Sequence, residues 1–86
     1  MSKNTNKVSI KKFDPSTFRT FDKVLIKYND TCNWEADFMS QYREKWKLVN
    51  TITTTCIKKV IPYNDETKNL LGTDKDCPEY YKWWEE

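Results

Sequence analysis

The sequence has 86 residues, 37% of them apolar and 15% aromatic, with a formal net charge of +2. A chain this short buries only roughly 60–65% of its unfolded surface, so there is room for one domain and one core built from a few bulky side chains. With no histidine and a single glycine, imidazole-based catalytic triads and glycine-rich phosphate loops are excluded, and no apolar run approaches the ~18 residues of a membrane span.

Charge is polarised along the chain: residues 1–12 hold four lysines and no acid, whereas residues 61–86 hold three lysines and seven acids. Residues 1–12 are expected to form a flexible basic leader, with Val8 and Ile10 placed to add a short edge strand. Residues 13–86 are expected to form a single small β domain. No cationic stretch runs into an apolar one, which argues against a secretory leader. Asp14-Pro15-Ser16 predicts a turn, because proline fixes φ and biases its predecessor away from the helical region. Phe13, Phe18 and Phe21 flank that turn, and Phe21 is expected in the core.

Residues 23–28 give the clearest strand, β-branched and aromatic, with Val24, Ile26 and Tyr28 on one face. After a turn cluster at residues 29–33, residues 34–42 alternate. Trp34, Ala36 and Phe38 fall on the side expected to face the core, and Glu35, Asp37 and Gln41 on the solvent side, so the two segments read as a β-hairpin. Arg43-Glu44-Lys45 predicts a charged turn. A third strand starts near Trp46 and Leu48, and a fourth lies within the threonine-rich residues 51–60 after a turn near Asn50, stopped by Pro62. Residues 64–72 predict about one helical turn, with Asn64 as N-cap, Gly72 as the left-handed C′ residue, and Leu70 and Leu71 docking it. The last segment carries Tyr80, Tyr81, Trp83 and Trp84, too many rings to stand exposed in a monomer. They either cover the sheet or meet a partner, and an isologous homodimer would bury both copies at once.

Four or five short antiparallel strands with one short helical turn and an aromatic C-terminal segment predict a mainly β fold, a small SH3- or Tudor-like barrel. No stretch holds a 3.6-residue apolar period for three turns, which disfavours a helical bundle.

Phe21 to Ile26, then Trp34 with Phe38, then IPYNDETKNLLGT at residues 61–73 resemble a family of small uncharacterised proteins carried by gut Bacteroidales and their phages. The pattern IPYNxETKxLLGT is the most specific part. The hairpin also resembles that of Tudor-like reader domains, an analogy of fold and not of function. The family resemblance implies a phage or mobile-element origin, hence the cytoplasm of a host bacterium, and supplies no catalytic residues to carry over.

The chemistry present favours binding. Cys32, Cys56 and Cys77 are widely spaced, with no C-x-x-C pair, so they read as free thiols in a reducing compartment and not as a zinc site. No cofactor and no metal site is expected. Glu35 with Asp37 on one strand face, about 7 Å apart, is the best remaining pair for a metal-assisted hydrolase, and it is also the ordinary polar face of an amphipathic strand. Aromatic faces can stack on bases while lysine and arginine contact phosphate. The candidate binding residues are Tyr28, Trp34, Tyr42, Arg43, Trp46, Lys58 and Tyr63, with Lys27, Lys45, Lys47 and Lys59 as further cations; the candidate interface residues are Tyr80, Tyr81, Trp83 and Trp84. The expectation is a non-enzymatic, cytoplasmic binding protein, a phage-type counter-defence accessory that sequesters a nucleotide-type immune signal or blocks a host defence protein. The alternative is a nucleic-acid-binding accessory protein using the basic residues.

Overall fold

The computed structural model describes residues 13–85. The basic leader at residues 1–12, and with it the edge strand expected around Val8 and Ile10, lies outside the described residues.

The described chain is mainly β, with four antiparallel strands in one sheet: β1 (Lys23–Lys27), β2 (Glu35–Arg43), β3 (Leu48–Thr51) and β4 (Lys59–Pro62). The spatial order is β3-β2-β1-β4. Successive hairpins join β1 to β2 and β2 to β3, and the chain then returns across the sheet to lay β4 on the far side of β1. The register pairs Leu25 with both Ala36 and Ile61, and Ile26 with both Glu35 and Val60. Short 3-10 turns at Pro15–Thr17, Lys68–Leu70, Glu79–Tyr81 and Trp83–Glu85 complete the described elements. No helix among the described residues is long and apolar enough to cross a membrane.

β1 is central, and this explains its unbroken apolar run. Residues from Val24 to Lys27 are all buried, because both faces of the sheet are covered. On one face Val24, Ile26, Met39, Val49, Ile57 and Val60 pack with Trp83. On the other, Leu25 and Ile61 pack with Trp34, Cys77 and Tyr81. The strand expected over residues 23–28 with Val24, Ile26 and Tyr28 on one face is therefore corrected in part: it stops at Lys27, both of its faces are buried, and Tyr28 lies beyond it, exposed.

The burial along β2 departs from expectation at Ala36, Asp37 and Phe38, whereas Glu35 and Gln41 are exposed as expected. Asp37 and Met39 are buried, while Ala36 and Phe38 are exposed. A side-chain period of two means that a one-residue error inverts a whole strand, and here the deciding partner is distant. Asp37 Oδ2 accepts hydrogen bonds from the hydroxyls of Thr51 and Thr53, each at 2.5 Å, and its Oδ1 accepts one from the Phe38 amide at 2.7 Å. A carboxylate with three donors can be buried at modest cost. Trp34, which precedes β2 and bridges to Leu71, is buried as its aromatic character suggests. A bulge between Met39 and Gln41 separates the inward residues Met39 and Tyr42 by an extra position.

Three further expectations are corrected. Phe21 is 70% exposed and sits at φ 72°, held by backbone hydrogen bonds between its amide and the Met39 carbonyl (2.7 Å) and between the Met39 amide and the Asp22 carbonyl (2.8 Å). The pairing with β2 fixes the backbone there, and the ring is turned away from the core. Asn50 lies inside β3 and not in a turn; the reversal comes later, at residues 52–58. Leu71 is exposed, because the chain turns at Gly72 (φ 79°) as soon as Leu70 has docked. Asn64 Oδ1 accepts from the amides of Glu66 (2.8 Å) and Thr67 (3.1 Å) in the turn that leads into the helical residues, but the 3-10 turn itself starts later than expected, with Thr67 as its N-cap.

The C-terminal segment crosses the outer edge of β4 and contributes to both cores. Tyr81 and Trp83 are buried within their own chain, so these two expected interface residues are core residues. Trp83 donates its indole N–H to the Val60 carbonyl at 2.7 Å, and Thr67 donates its hydroxyl to the Pro62 carbonyl at 2.6 Å. With Pro62 lacking an N–H altogether, the β4 edge offers little to a pairing strand.

Candidate functional site

The loop at residues 52–58 forms one wall of a cavity of 340 Å³ lined by Lys27, Tyr28, Leu48, Thr54, Thr55, Cys56, Ile57, Lys58 and Lys59. Its shape follows from local bonding. The Thr51 amide donates to the Thr54 carbonyl (2.7 Å), and the Cys56 amide donates to Asn50 Oδ1 (3.2 Å) with Cys56 at φ 58°. Ile57 then pairs with Val49 through two backbone bonds of 2.8 and 2.9 Å. Asp37 clamps the start of the loop from beneath through Thr51 and Thr53. Burial pushes the Asp37 carboxyl up, but the two hydroxyls with the Phe38 and Thr53 amides together outweigh it and hold the group below the usual carboxylate range. A base for hydrolysis needs a free lone pair aimed at substrate, and the Asp37 carboxylate is engaged in holding the loop.

The opposite wall is the end of β1 and the start of β4, where Lys27 and Lys59 lie directly across from one another. Lys27 is 4% exposed. Its ammonium donates to the Asp74 carbonyl at 2.7 Å and lies 5.5 Å from the centre of the Trp34 ring. Lys59 is ion-paired with Asp30, which the Asn29 side chain positions by accepting from the Thr31 amide (2.9 Å) and hydroxyl (2.7 Å). The Asp30 carboxyl is lowered, first by the hydrogen bond from Lys59 and then by that lysine's charge, with a smaller contribution from Lys27. Among the described residues no Asp or Glu lines this cavity; its lining residues include three lysines, two threonines, Cys56 and the exposed Tyr28, and two of the lysines direct their ammonium groups to partners outside that lining, Lys27 to the Asp74 carbonyl and Lys59 to Asp30.

A second cavity, of 430 Å³, shares Lys27 and Lys59 and adds Asp30, Asp74, Asp76, Lys82, Trp84 and Glu85. Its charges are mixed and partly paired, Lys82 with Asp76 at 3.1 Å.

Of the residues selected from sequence, Tyr28 and Lys58 meet in the first cavity, together with the candidate cations Lys27 and Lys59. The others lie elsewhere. Trp34 is 2% exposed and donates its indole N–H to the Lys75 carbonyl at 2.7 Å, so its faces are closed to a ligand. Tyr42 is half-buried with its ring edge-on to Trp83, centroids 6.0 Å apart. Arg43 and Trp46 stand together at the tip of the β2–β3 hairpin, the Arg43 guanidinium 4.8 Å and the Lys45 ammonium 5.3 Å from the exposed indole. Tyr63 lines a separate groove of 320 Å³ with Phe13, Phe18 and Lys23, whose ammonium is 4.2 Å from the Tyr63 ring centre. Tyr80 and Tyr81 both donate to Glu66 Oε1, and Asn64 donates to the Tyr81 hydroxyl at 2.8 Å; the first of these bonds raises the Tyr80 phenol. Trp84 is half-buried against Trp83 at 5.8 Å.

Sequence reasoning missed Thr54, Thr55 and Asp30. The threonine-rich run read as strand alone, and the Val49–Ile57 pairing is what brings Thr54 and Thr55 into one lining with the lysines. Compared with protein-family models, with curated proteins and with solved structures, the chain matches none.

Proposed function

We propose that this chain is a non-enzymatic binding protein that holds a nucleotide-type small molecule in the cavity between Tyr28 and residues 54–59. The observation that carries this reading is the lining, which combines three lysines and two threonines with an exposed ring and, among the described residues, no Asp or Glu. Phosphate is recognised by ammonium and hydroxyl donors, and a base or adenine ring stacks on an aromatic face at about 1–3 kcal/mol. The resemblance of residues 61–73 to proteins of gut Bacteroidales and their phages adds the context: a counter-defence accessory that sequesters an immune signal. Support for a small SH3- or Tudor-like barrel comes from residues 57–62, which pair with β3 through Ile57 and with β1 through β4, so that one segment spans the gap between the two sides of the sheet.

Isothermal titration with cyclic dinucleotides, ADP-ribose and AMP tests the reading. Saturable binding that is lost in Tyr28→Ala and Lys58→Gln supports it, and no heat with any of the three classes overturns it.

The hairpin tip favours a second reading, single-stranded nucleic acid binding. Trp46 is 54% exposed, with Arg43 and Lys45 beside it, the pairing of ring and cation that bases and phosphates use. Affinity for an oligonucleotide would then fall steeply with salt and depend on Trp46, whereas mononucleotide binding would not.

A further inference from the structure

Lys27 and Lys59 are directly opposed across β1 and β4, and like charges in that position are destabilising. Their compensation is unequal. Lys59 has Asp30. Lys27, although buried, has no ion pair among the described residues, only a backbone carbonyl and the face of Trp34. An ammonium has three N–H donors, and one of the three on Lys27 is used in the Asp74 bond. Both lysines line the first cavity and the mixed cavity alike, and the partners of their ammonium groups, the Asp74 carbonyl and Asp30, belong to the mixed one. Asp30 lines the mixed cavity, and its side chain is 87% exposed. Nothing but the ion pair and the short turn at residues 29–31 holds that carboxylate in place, so moving it into water costs little.

We propose that the opposed Lys27–Lys59 pair is the anchor for a phosphate-type anion, and that Asp30 is a built-in counter-ion which the incoming anion displaces from Lys59. This rests on the binding reading above and gives it a regulatory residue: Asp30 competes with the ligand, holding Lys59 neutralised when the site is empty. The carboxyl of Asp30, kept low chiefly by Lys59 and to a smaller extent by Lys27, stays charged across the neutral range and so competes throughout it. The anchor contacts the phosphate and not the base, so it takes inorganic pyrophosphate as well as nucleotides.

The test is a titration of the full chain with sodium pyrophosphate, ionic strength held constant with chloride, in the parent and in Asp30→Asn, Lys59→Gln and Lys59→Arg. Circular dichroism checks that each variant is folded. Asp30→Asn is expected to tighten pyrophosphate binding about two- to fivefold, the scale of one exposed ion pair. Lys59→Gln is expected to weaken it by roughly fivefold or more, with Lys59→Arg restoring most of the loss. In the double variant Asp30→Asn with Lys59→Gln, the gain from Asp30→Asn disappears. Pyrophosphate binding that is absent, or unchanged or weakened by Asp30→Asn, overturns the proposal. AMP and cyclic dinucleotides run in parallel separate the two claims. Pyrophosphate binding with the expected Asp30 effect but no nucleotide binding rejects the nucleotide reading and keeps the anchor. Nucleotide binding indifferent to both Asp30 and Lys59 rejects the anchor and keeps the nucleotide reading.

Discussion

The C-terminal segment and the tip of the β2–β3 hairpin are alike in composition, each setting tryptophan among charged residues, yet one forms the interior and the other stands in water. Trp83 lies over the edge of β4, where the Val60 carbonyl accepts its indole N–H at 2.7 Å. Trp34 finds the Lys75 carbonyl at the same distance. Trp46 has cations beside its ring, and among the described residues nothing accepts from its indole N–H. An indole needs a home for its one donor before it can be buried, and only a strand edge or an irregular segment has carbonyls to spare. Ring content alone therefore says little about ligand binding; the spare acceptor separates core from surface.

The largest way to break this comparison is to remove a buried indole. Trp83→Ala or Trp34→Ala is expected to cost about 3–5 kcal/mol, a large share of the stability of any small domain, read as the urea midpoint or as failure to fold. Trp83→Phe sharpens the point, since it keeps much of the ring and deletes the donor. Leaving the Val60 carbonyl unpaired is expected to cost about 1–3 kcal/mol. A urea midpoint equal to that of the parent would mean that packing alone holds the segment.

Asp37 is next in size. Asp37→Ala leaves the Thr51 and Thr53 hydroxyls without their acceptor, and the expected loss is about 1–3 kcal/mol, with the loop at residues 52–58 loosened more than β1. Its acid dependence has a definite sign. The folded chain holds this carboxyl below its unfolded value, so its stabilisation is complete above the unfolded value of about 3.9 and is lost as pH falls through the folded value. Asp14 and Asp30, also lowered, act in the same direction. Urea midpoints measured between pH 7 and pH 2.5 should fall in acid for the parent and fall less for Asp37→Asn; parallel curves would reject the assignment.

These residues also show what the sequence could and could not reveal. The strands were legible, because residues 23–27 and 59–62 are dense in β-branched and apolar side chains whatever they pack against. Which of the alternating residues of β2 are buried was legible only in part, since Asp37 is buried while Ala36 and Phe38 are exposed. Residues 34, 36 and 38 alternate as an apolar face as plausibly as residues 37, 39 and 42, and the choice falls to two threonines 14 and 16 positions beyond Asp37. The candidate site was legible in part, as residue types: Tyr28, Lys27, Lys58 and Lys59 could be picked as ring and cations. Their convergence could not, because it depends on Ile57 pairing backward to Val49 while residues 59–62 pair to β1. The same return of the chain brings Thr54 and Thr55 into one lining with the lysines, and no local pattern encodes it.

The smallest effect is expected at Trp46, and it is the most direct test of the comparison. Half-exposed rings contribute little to a core, and a cation beside an exposed ring is worth about 0.5–1 kcal/mol, much of which water returns to Arg43 and Lys45 when the ring is removed. Trp46→Ala should therefore shift the urea midpoint by no more than the equivalent of about 1 kcal/mol. It should, however, remove the tryptophan emission most accessible to acrylamide, since Trp34 and Trp83 are each shielded by a sheet face. A destabilisation as large as that of Trp83→Ala would show that the hairpin tip is packed in solution, and the rule that a spare carbonyl decides which indoles are buried would then be wrong.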